Sequence, residues 1–500
     1  MKPNPDLHRL IKSLSKSEKR YFKIYASQYA KSSKSNYLRL FDAIDRQDVY
    51  DEAVLKKRFH KEKFTKHLSS EKNYLFQMVM KSLRAYQREN SMAVTLSELI
   101  LESEILEERG LYGRSDKVLA KAEKLAGESE AHWIMLEILD RRRVLLKARE
   151  LKRPQENLKL LVERKNEVLE MIANRYLYQD LYDELFLAAR MRLDGPRREI
   201  LERLTYHYQD SDLIQQHPPN SFFAQLFSRN LLALYQRLNG NRTACKQAFT
   251  QAVALWEAHP KMQQLLPQRY KIALSNCLAA CMSDDDFPPM PALISKIKAI
   301  PDTTFDRAAE NFQNTSLWEL VYHFNTGDLE AAIATVPEIE AGLDRYKGKV
   351  NAARRLTLLF NTAMVFFMAE RPSDCLKFTN RILDTGSIPH RRDIQRAAHL
   401  FQLLLHLELG NFDLLEYLLR STKRYFKQAG EPSPLESTTL DLCQAGLQEG
   451  TQPLSKALLE RFWEAIQGVE LSKAAGGTEI RCWAEARLKG LSLREVGFGK

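Results

Sequence analysis

A turn followed by a striped helix recurs along this chain at steps of 40 to 45 residues, and no other feature restricts the fold so strongly. The clearest copy is LNGNRTACKQAFTQAVA, Leu238 to Ala254. Asn239-Gly240-Asn241 has turn composition. Cys245, Phe249 and Ala252 stand five, nine and twelve residues past the glycine, intervals that put them on one side of a helix. The same intervals recur from Gly110 (Ser115, Leu119, Ala122), Gly327 (Ala332, Val336, Ile339) and Glu370 (Cys375, Thr379, Ile382). They recur again from Gly410 (Leu415, Leu419, Thr422) and Gly450 (Ser455, Leu459, Phe462). Used as a ruler, the turn places pivots near Gly110, Lys152, Gly195, Gly240, Ser283, Gly327, Glu370, Gly410, Gly450 and Gly490. Lys152, Gly195 and Ser283 are set mainly by spacing. Pro154, Pro196, Pro288, Pro372 and Pro453 fall one to five residues after a pivot. That is where a second helix begins, and proline is tolerated in a first turn but not inside a helix.

These observations predict an all-α chain: an α-solenoid of helix-turn-helix repeats over 93–500, about nine helix pairs and a terminal helix. Composition agrees. Gly and Pro together number 37 of 500, about 7% against a usual 12% or so, too few for the many short connections of a β protein. First helices are expected at Trp133 to Ala148, Phe222 to Leu238, Arg355 to Ala369 and Ala397 to Leu409. Trp256, Phe366, Phe367, Phe412, Tyr417, Phe462 and Trp463 sit at helical spacing and are expected in the core. The tail beyond Gly490 should fray or fold back. GDLEAAIATVPEI (Gly327 to Ile339) and GNFDLLEYLLRST (Gly410 to Thr422) resemble the inter-helix turn and second helix of the tetratricopeptide repeat. The period here exceeds that family's ~34 residues, so both helices would be longer by about a turn. The resemblance implies stacked helix pairs whose concave surface holds a peptide or helix of a partner protein.

Charge divides the chain elsewhere. Residues 1–90 hold 21 Lys and Arg against 10 Asp and Glu, while the other 410 balance at 54 of each. The asymmetry marks residues 1–92 as a separate, small, basic helical domain with a partner of its own. Short helices are legible at Leu7 to Leu14, at KRYFKIYASQYA capped by Ser15 or Ser17 with Glu18, and at NYLRLFDAID with Leu38, Phe41 and Ile44 inward. Asp48 or Asp51 caps EAVLKKRFH. After the link KEKFTKH, Ser69-Ser70 caps EKNYLFQMVMKSLRAYQREN, with Tyr74, Leu75, Met78, Leu83 and Tyr86 apolar. The last two helices resemble, over about 40 residues, the helix-turn-helix part of a winged-helix domain. The resemblance implies that Lys72, Asn73, Gln77, Lys81 and Arg84 face a groove or its phosphates. It also implies that Lys56, Lys57, Arg58, Lys61, Lys63 and Lys66 grip a nucleic-acid backbone. No glycine-tipped hairpin follows Arg88 to make a wing. Three readings stay open: a cap for the array with a solvated basic surface, a nucleic-acid contact, and a dock for an acidic protein.

Chemistry leaves few marks. No phosphate loop, zinc helix, nucleophile elbow or dinucleotide fingerprint occurs, and no catalytic residue, metal site or cofactor is expected. Cys277 and Cys281 lie four apart on one helix face without two further ligands nearby, so they are expected in the core. His399 and His406 occupy an apolar stretch and should be partly buried and hydrogen-bonded. Asp284-Asp285-Asp286 is expected to be solvated or to sit near a helix N-terminus. Scattered cysteines, no apolar leader in the first twenty residues and no long apolar run predict a cytoplasmic protein without membrane spans. Two functions follow. One is a non-enzymatic scaffold or adaptor that binds a protein or peptide in its groove. The alternative is a nucleic-acid-binding regulator using residues 1–92, with the array as sensor or oligomerisation module. Oligomeric state stays open.

Overall fold

The computed structural model describes residues 5–28, 36–87, 92–148, 153–189, 199, 202, 216–302, 304–386, 388, 391–471 and 474–498. Among them the secondary structure is helical, with no strand: an all-α, helical-repeat arrangement. The turns explain why. Gly110, Gly240, Gly327, Gly410, Gly450 and Gly490 all hold φ between 62° and 78°, the left-handed region that glycine enters without penalty. In most of these turns the residue after the pivot donates its N–H to the carbonyl five positions earlier, closing the preceding helix. The pairs are Leu111 to Leu106, Asn241 to Gln236, Asp328 to His323, Asn411 to His406 and Leu491 to Ala486, all 2.9–3.0 Å. Glu370 makes the same turn with φ 54°, Arg371 donating to Phe366 at 2.9 Å. The side chains of Asn241 and Asp328 then cap the next helices through Ala244 N and Ala331 N.

One expected pivot moves, and one expected link is absent. The turn placed at Ser283 is made two residues later, at Asp285 (φ 54°), with Asp286 donating to Cys281 at 3.0 Å. The ruler requires a link between Lys152 and Gly195, yet Pro154–Ala188 is one helix of 35 residues. No glycine or proline interrupts 155–188, so nothing stops it. Lys152, Gly195 and Pro196 themselves lie outside the described residues.

The chain forms two compact units, Met1–Asp286 with Thr303–Phe305, and Phe287–Asp302 with Asp306–Lys500. In the first, helices Asp6–Ser13, Lys16–Gln28, Asn36–Asp45, Glu52–Arg58 and Leu68–Gln87 close around a core that includes Ile11, Phe22, Phe41, Ile44, Leu55 and Leu75. Ser15 and Glu18 cap the second of these reciprocally, and Asp51 caps the fourth. Ser69 and Ser70 are not caps: a 3-10 turn at Lys63–His67 lets the long helix start at Leu68. Beyond it, Met92–Glu108, Tyr112–Glu128, His132–Ala148, Pro154–Ala188, Phe222–Leu238, Arg242–Glu257 and Pro267–Ser283 follow. Their apolar faces form several separate clusters.

Most of the second unit shares one continuous core, from Leu317 to Leu493. Helices Ala352–Met368 and Arg392–Glu408 are buried around most of their circumference, as fits segments apolar on all sides. The chain's last helices, Gly477–Lys489 and Leu493–Phe498, supply part of that cover. Gly476 passes so close to Phe401 that a Cβ there would meet the ring, and Gly497 does the same against Met368. The tail thus folds back, and Phe498 reaches Phe324 with ring centroids 5.7 Å apart.

The interval residues are buried in most copies: Ser115, Leu119, Ala122, Cys245, Ala252, Ala332, Val336, Ile339, Cys375, Thr379, Ile382, Leu415, Leu419 and Thr422. Ser455 is not; it is the N-cap of Lys456–Gln467, because that helix starts later after its turn. Tyr417, expected in the core, is 65% exposed, since the helix around it turns only the side bearing Leu415, Leu419 and Thr422 inward.

Candidate functional site

The basic helical surface of residues 39–84 comes first. Lys72, expected on an outer face, points inward: Nζ reaches Glu52 at 2.5 Å and the Tyr50 hydroxyl at 2.9 Å. Hydrogen bonds from Lys72 and Lys56 outweigh burial and hold the Glu52 carboxyl down at about 2. Lys56 is engaged by that carboxylate at 3.0 Å, and Glu62 pairs with Arg39 at 2.7 Å. Arg58 leans over the Phe59 ring, 5.8 Å from its centroid. Lys57, Lys61, Lys63 and Lys66 are exposed on the link and its flanks. On the long helix, Ser70, Asn73, Gln77, Lys81 and Arg84 are all exposed. At 100° per residue they share an arc of about 80° that carries no carboxylate. Ten of the eleven expected contact residues are therefore solvent-facing, Lys56 among them as an ion-paired one, and Lys72 is withdrawn. Arg58, one of the ten, leans on an aromatic ring.

Large apolar groups are also held in water on the helices between residues 92 and 188. Leu101, Trp133, Val144, Leu160 and Leu187, from Met92–Glu108, His132–Ala148 and Pro154–Ala188, are each more than half exposed. Trp133 sits edge-on to Tyr176 at 6.5 Å, joining two of these helices. Sequence periodicity gives no sign of these exposed groups, because it assigns every apolar group to an inward stripe.

Sites singled out for chemistry resolve as structure. Asp284 and Asp286 both grip Lys246, at 2.5 and 2.9 Å, and Asp284 also accepts from the Thr243 hydroxyl at 2.8 Å. The two carboxylates raise the Lys246 ammonium above its ordinary value, so only Asp285 of the acidic triplet is freely solvated. Cys277 and Cys281 are buried, and none of the six cysteines forms a disulfide. His399 packs against Tyr425 and is driven down to about 4 by burial; His406 meets Asn411 Nδ2 at 3.2 Å and is lowered for the same reason.

A cavity of about 820 Å³ opens in the second unit beside the turns at Glu370, Leu409 and Gly490. On its wall Arg487 bridges Glu408 and Glu370, the latter at 3.1 Å, and the Trp483 indole N–H donates to Glu408 at 2.6 Å. Burial works against the Arg487 charge, and the two carboxylates outweigh it, holding the guanidinium above its usual value. The glutamate at a glycine position was the one trace of this cluster in the sequence. Among the described residues no group of three His, Cys, Asp or Glu side chains is placed to hold a metal, and no helix is long and apolar enough to cross a membrane. No protein-family model matches the chain. No curated protein matches it in sequence either.

Proposed function

We propose that this protein acts as a non-enzymatic adaptor or scaffold that binds a protein partner through the helices of residues 92–188. The observation that supports this reading is the exposed strip of Leu169, Tyr176 and Leu187, which at 100° per residue share one face of Pro154–Ala188, with the exposed Trp133 ring packed edge-on to Tyr176. Apolar side chains grouped in this way favour association with another surface. The tetratricopeptide-like turn and second helix point to the same kind of work. They do not point to the inner helices of the second unit, whose faces the chain's own C-terminal helices already cover. Photo-crosslinkers placed at 133, 169 and 187 of the full chain in its native cells should yield discrete protein adducts. A crosslinker at Tyr417, an exposed aromatic among polar neighbours, should not. Equal yields at all four positions would defeat the proposal.

The solvent-facing, carboxylate-free arc of Leu68–Gln87 favours a second reading, contact with nucleic acid through residues 1–92. Asn73 and Gln77 bring amides of the kind that read base edges, and Lys81 and Arg84 bring phosphate contacts. Full-length protein should then bind a duplex with affinity falling steeply in salt, and Lys81→Ala with Arg84→Ala should lower the slope of log affinity against log salt by about two. An unchanged slope, or no binding at low salt, removes this reading.

A further inference from the structure

The longest helix of the first unit, Pro154–Ala188, packs against His132–Ala148 and Phe222–Leu238. Val168 and Ile172 are buried on one of its sides, Tyr178 and Leu185 on another. Beside them runs a strip left in water. Leu158, Val162, Leu169, Tyr176 and Leu187 are each more than a third exposed. At 100° per residue they fall within an arc of about 40°, and from Leu158 to Leu187 the strip drifts by only about 20°. It is therefore straight, about 44 Å long at 1.5 Å per residue, and can lie along a second rod for its whole length. Trp133, from His132–Ala148, stands edge-on to Tyr176 and widens it.

Charges choose the occupant. Within an arc of about 60° the strip carries three, Lys165 in its N-terminal half and Asp180 and Asp183 in its C-terminal half. Among the described residues none of the three has an ion-pair partner. A helix face that is positive towards one end and negative towards the other, with apolar groups between, complements itself when turned end to end. A two-fold axis between Ile172 and Ala173 does this. Leu169 then meets Tyr176 of the other copy, Lys165 meets Asp180, and Leu158 meets Leu187, each pair equally far from the axis. Val162 falls beside Asp183, one turn from Asp180, so Lys165 lies between two carboxylates. Ala173, exposed at the axis, is small enough to let the rods close to helix-packing distance. Parallel pairing would instead set Lys165 against Lys165 and Asp180 against Asp180, which repel.

We infer that the exposed strip of Pro154–Ala188 is a homodimer interface, on which a second copy of this chain lies antiparallel with Lys165 of each copy facing Asp180 of the other. This rests on the reading of residues 92–188 as a protein-binding surface and names the partner. A strip of about 44 Å by 10 Å is small for a specific interface, so full-length protein is followed by sedimentation from about 1 to 200 μM. The 57.9 kDa chain should pass to twice that mass as concentration rises. Leu169→Glu should weaken self-association by about tenfold or more, since it puts a charge into the apolar seam of both copies. Tyr417→Glu, at an exposed aromatic elsewhere, should leave it unchanged, and circular dichroism confirms that both variants fold. Lys165→Glu should weaken the dimer as well, and adding Asp180→Lys to the same chain should restore it, because opposite charges face each other again. A monomer throughout the range, self-association unmoved by Leu169→Glu, or a Lys165→Glu defect that Asp180→Lys does not repair would each overturn the dimer. A monomer whose crosslinkers at 133, 169 and 187 still capture other proteins sinks the dimer and leaves the adaptor reading standing; a monomer with no adducts removes both.

Discussion

The two units are built from the same turn and the same striped helix, yet they treat apolar surface in opposite ways. In the second unit the stripes merge into one core, and the chain's last helices return to cover Ala352–Met368 and Arg392–Glu408. In the first unit the described residues form several distinct apolar clusters, and Leu101, Trp133, Val144, Leu160 and Leu187 remain in water. Periodicity dictates which residues share a face. Whether that face is finally covered depends on where distant parts of the chain return, which no local pattern encodes. The difference separates a self-contained unit from one that still has surface to offer.

The sharpest way to break this contrast is to truncate one aromatic in each unit. Phe401 is fully buried, against Gly476, Phe360 and Phe367. Phe401→Ala should cost about 3–5 kcal/mol through lost burial and the cavity left behind. Trp133→Ala should stay within about 0.5 kcal/mol, as exposed substitutions do. Urea unfolding followed by circular dichroism measures both. Comparable losses would mean that the first unit is as closed as the second.

Acid should separate the units as well. His399 in the second unit is lowered to about 4, so its folded form binds a proton less readily than the unfolded chain does. Stability contributed by the neutral imidazole is present above about pH 6.5 and is lost as pH falls towards 4, a change on the order of 2–3 kcal/mol. His406 shifts in the same direction. In the N-terminal helices the sign is the same and the window lower. Glu52, held at about 2, stabilises above its ordinary value near 4.5 and loses that contribution between there and pH 2. Acid titration of unfolding should therefore disturb the second unit first. His399→Phe should flatten the upper step, and Glu52→Gln the lower one. A single step unmoved by His399→Phe would contradict this order.

How legible these features were depends on how far apart their partners lie. The helix Asn36–Asp45 and the caps at Ser15 and Asp51 follow from neighbours within four residues, and the sequence shows them plainly. Gly110, Gly240, Gly327, Gly410, Gly450 and Gly490 announce their turns because a left-handed backbone all but requires glycine. Lys72 was misplaced because its partner Glu52 lies twenty residues earlier, on another helix. The Arg487–Glu370 contact spans 117 residues, and the Phe223 ring is met by Arg175 and Arg269 from two other helices. Separations of that size leave no periodic signal. The uncut helix Pro154–Ala188 shows the opposite error: spacing demanded a link that no glycine or proline was present to make.

The smallest expected effect sharpens the comparison most finely, because it asks whether a non-glycine turn is merely tolerated or is used. Asp285 in the first unit and Glu370 in the second both hold φ 54° where other copies have glycine. Asp285 is exposed, and the Lys246 bridge is made by its neighbours Asp284 and Asp286. Asp285→Gly relieves left-handed strain, partly offset by a freer unfolded chain, and should stabilise by about 0.5 kcal/mol. Glu370→Gly relieves the same strain but removes a carboxylate from Arg487, which is left with Glu408 and a partly buried charge. Its net effect should therefore be a loss, about 0.5–1 kcal/mol once screening at this half-open site is allowed for. Opposite signs for one backbone change would show that the strained turn at Glu370 is retained for its side chain; equal gains would show that Arg487 needs only one of its two carboxylates.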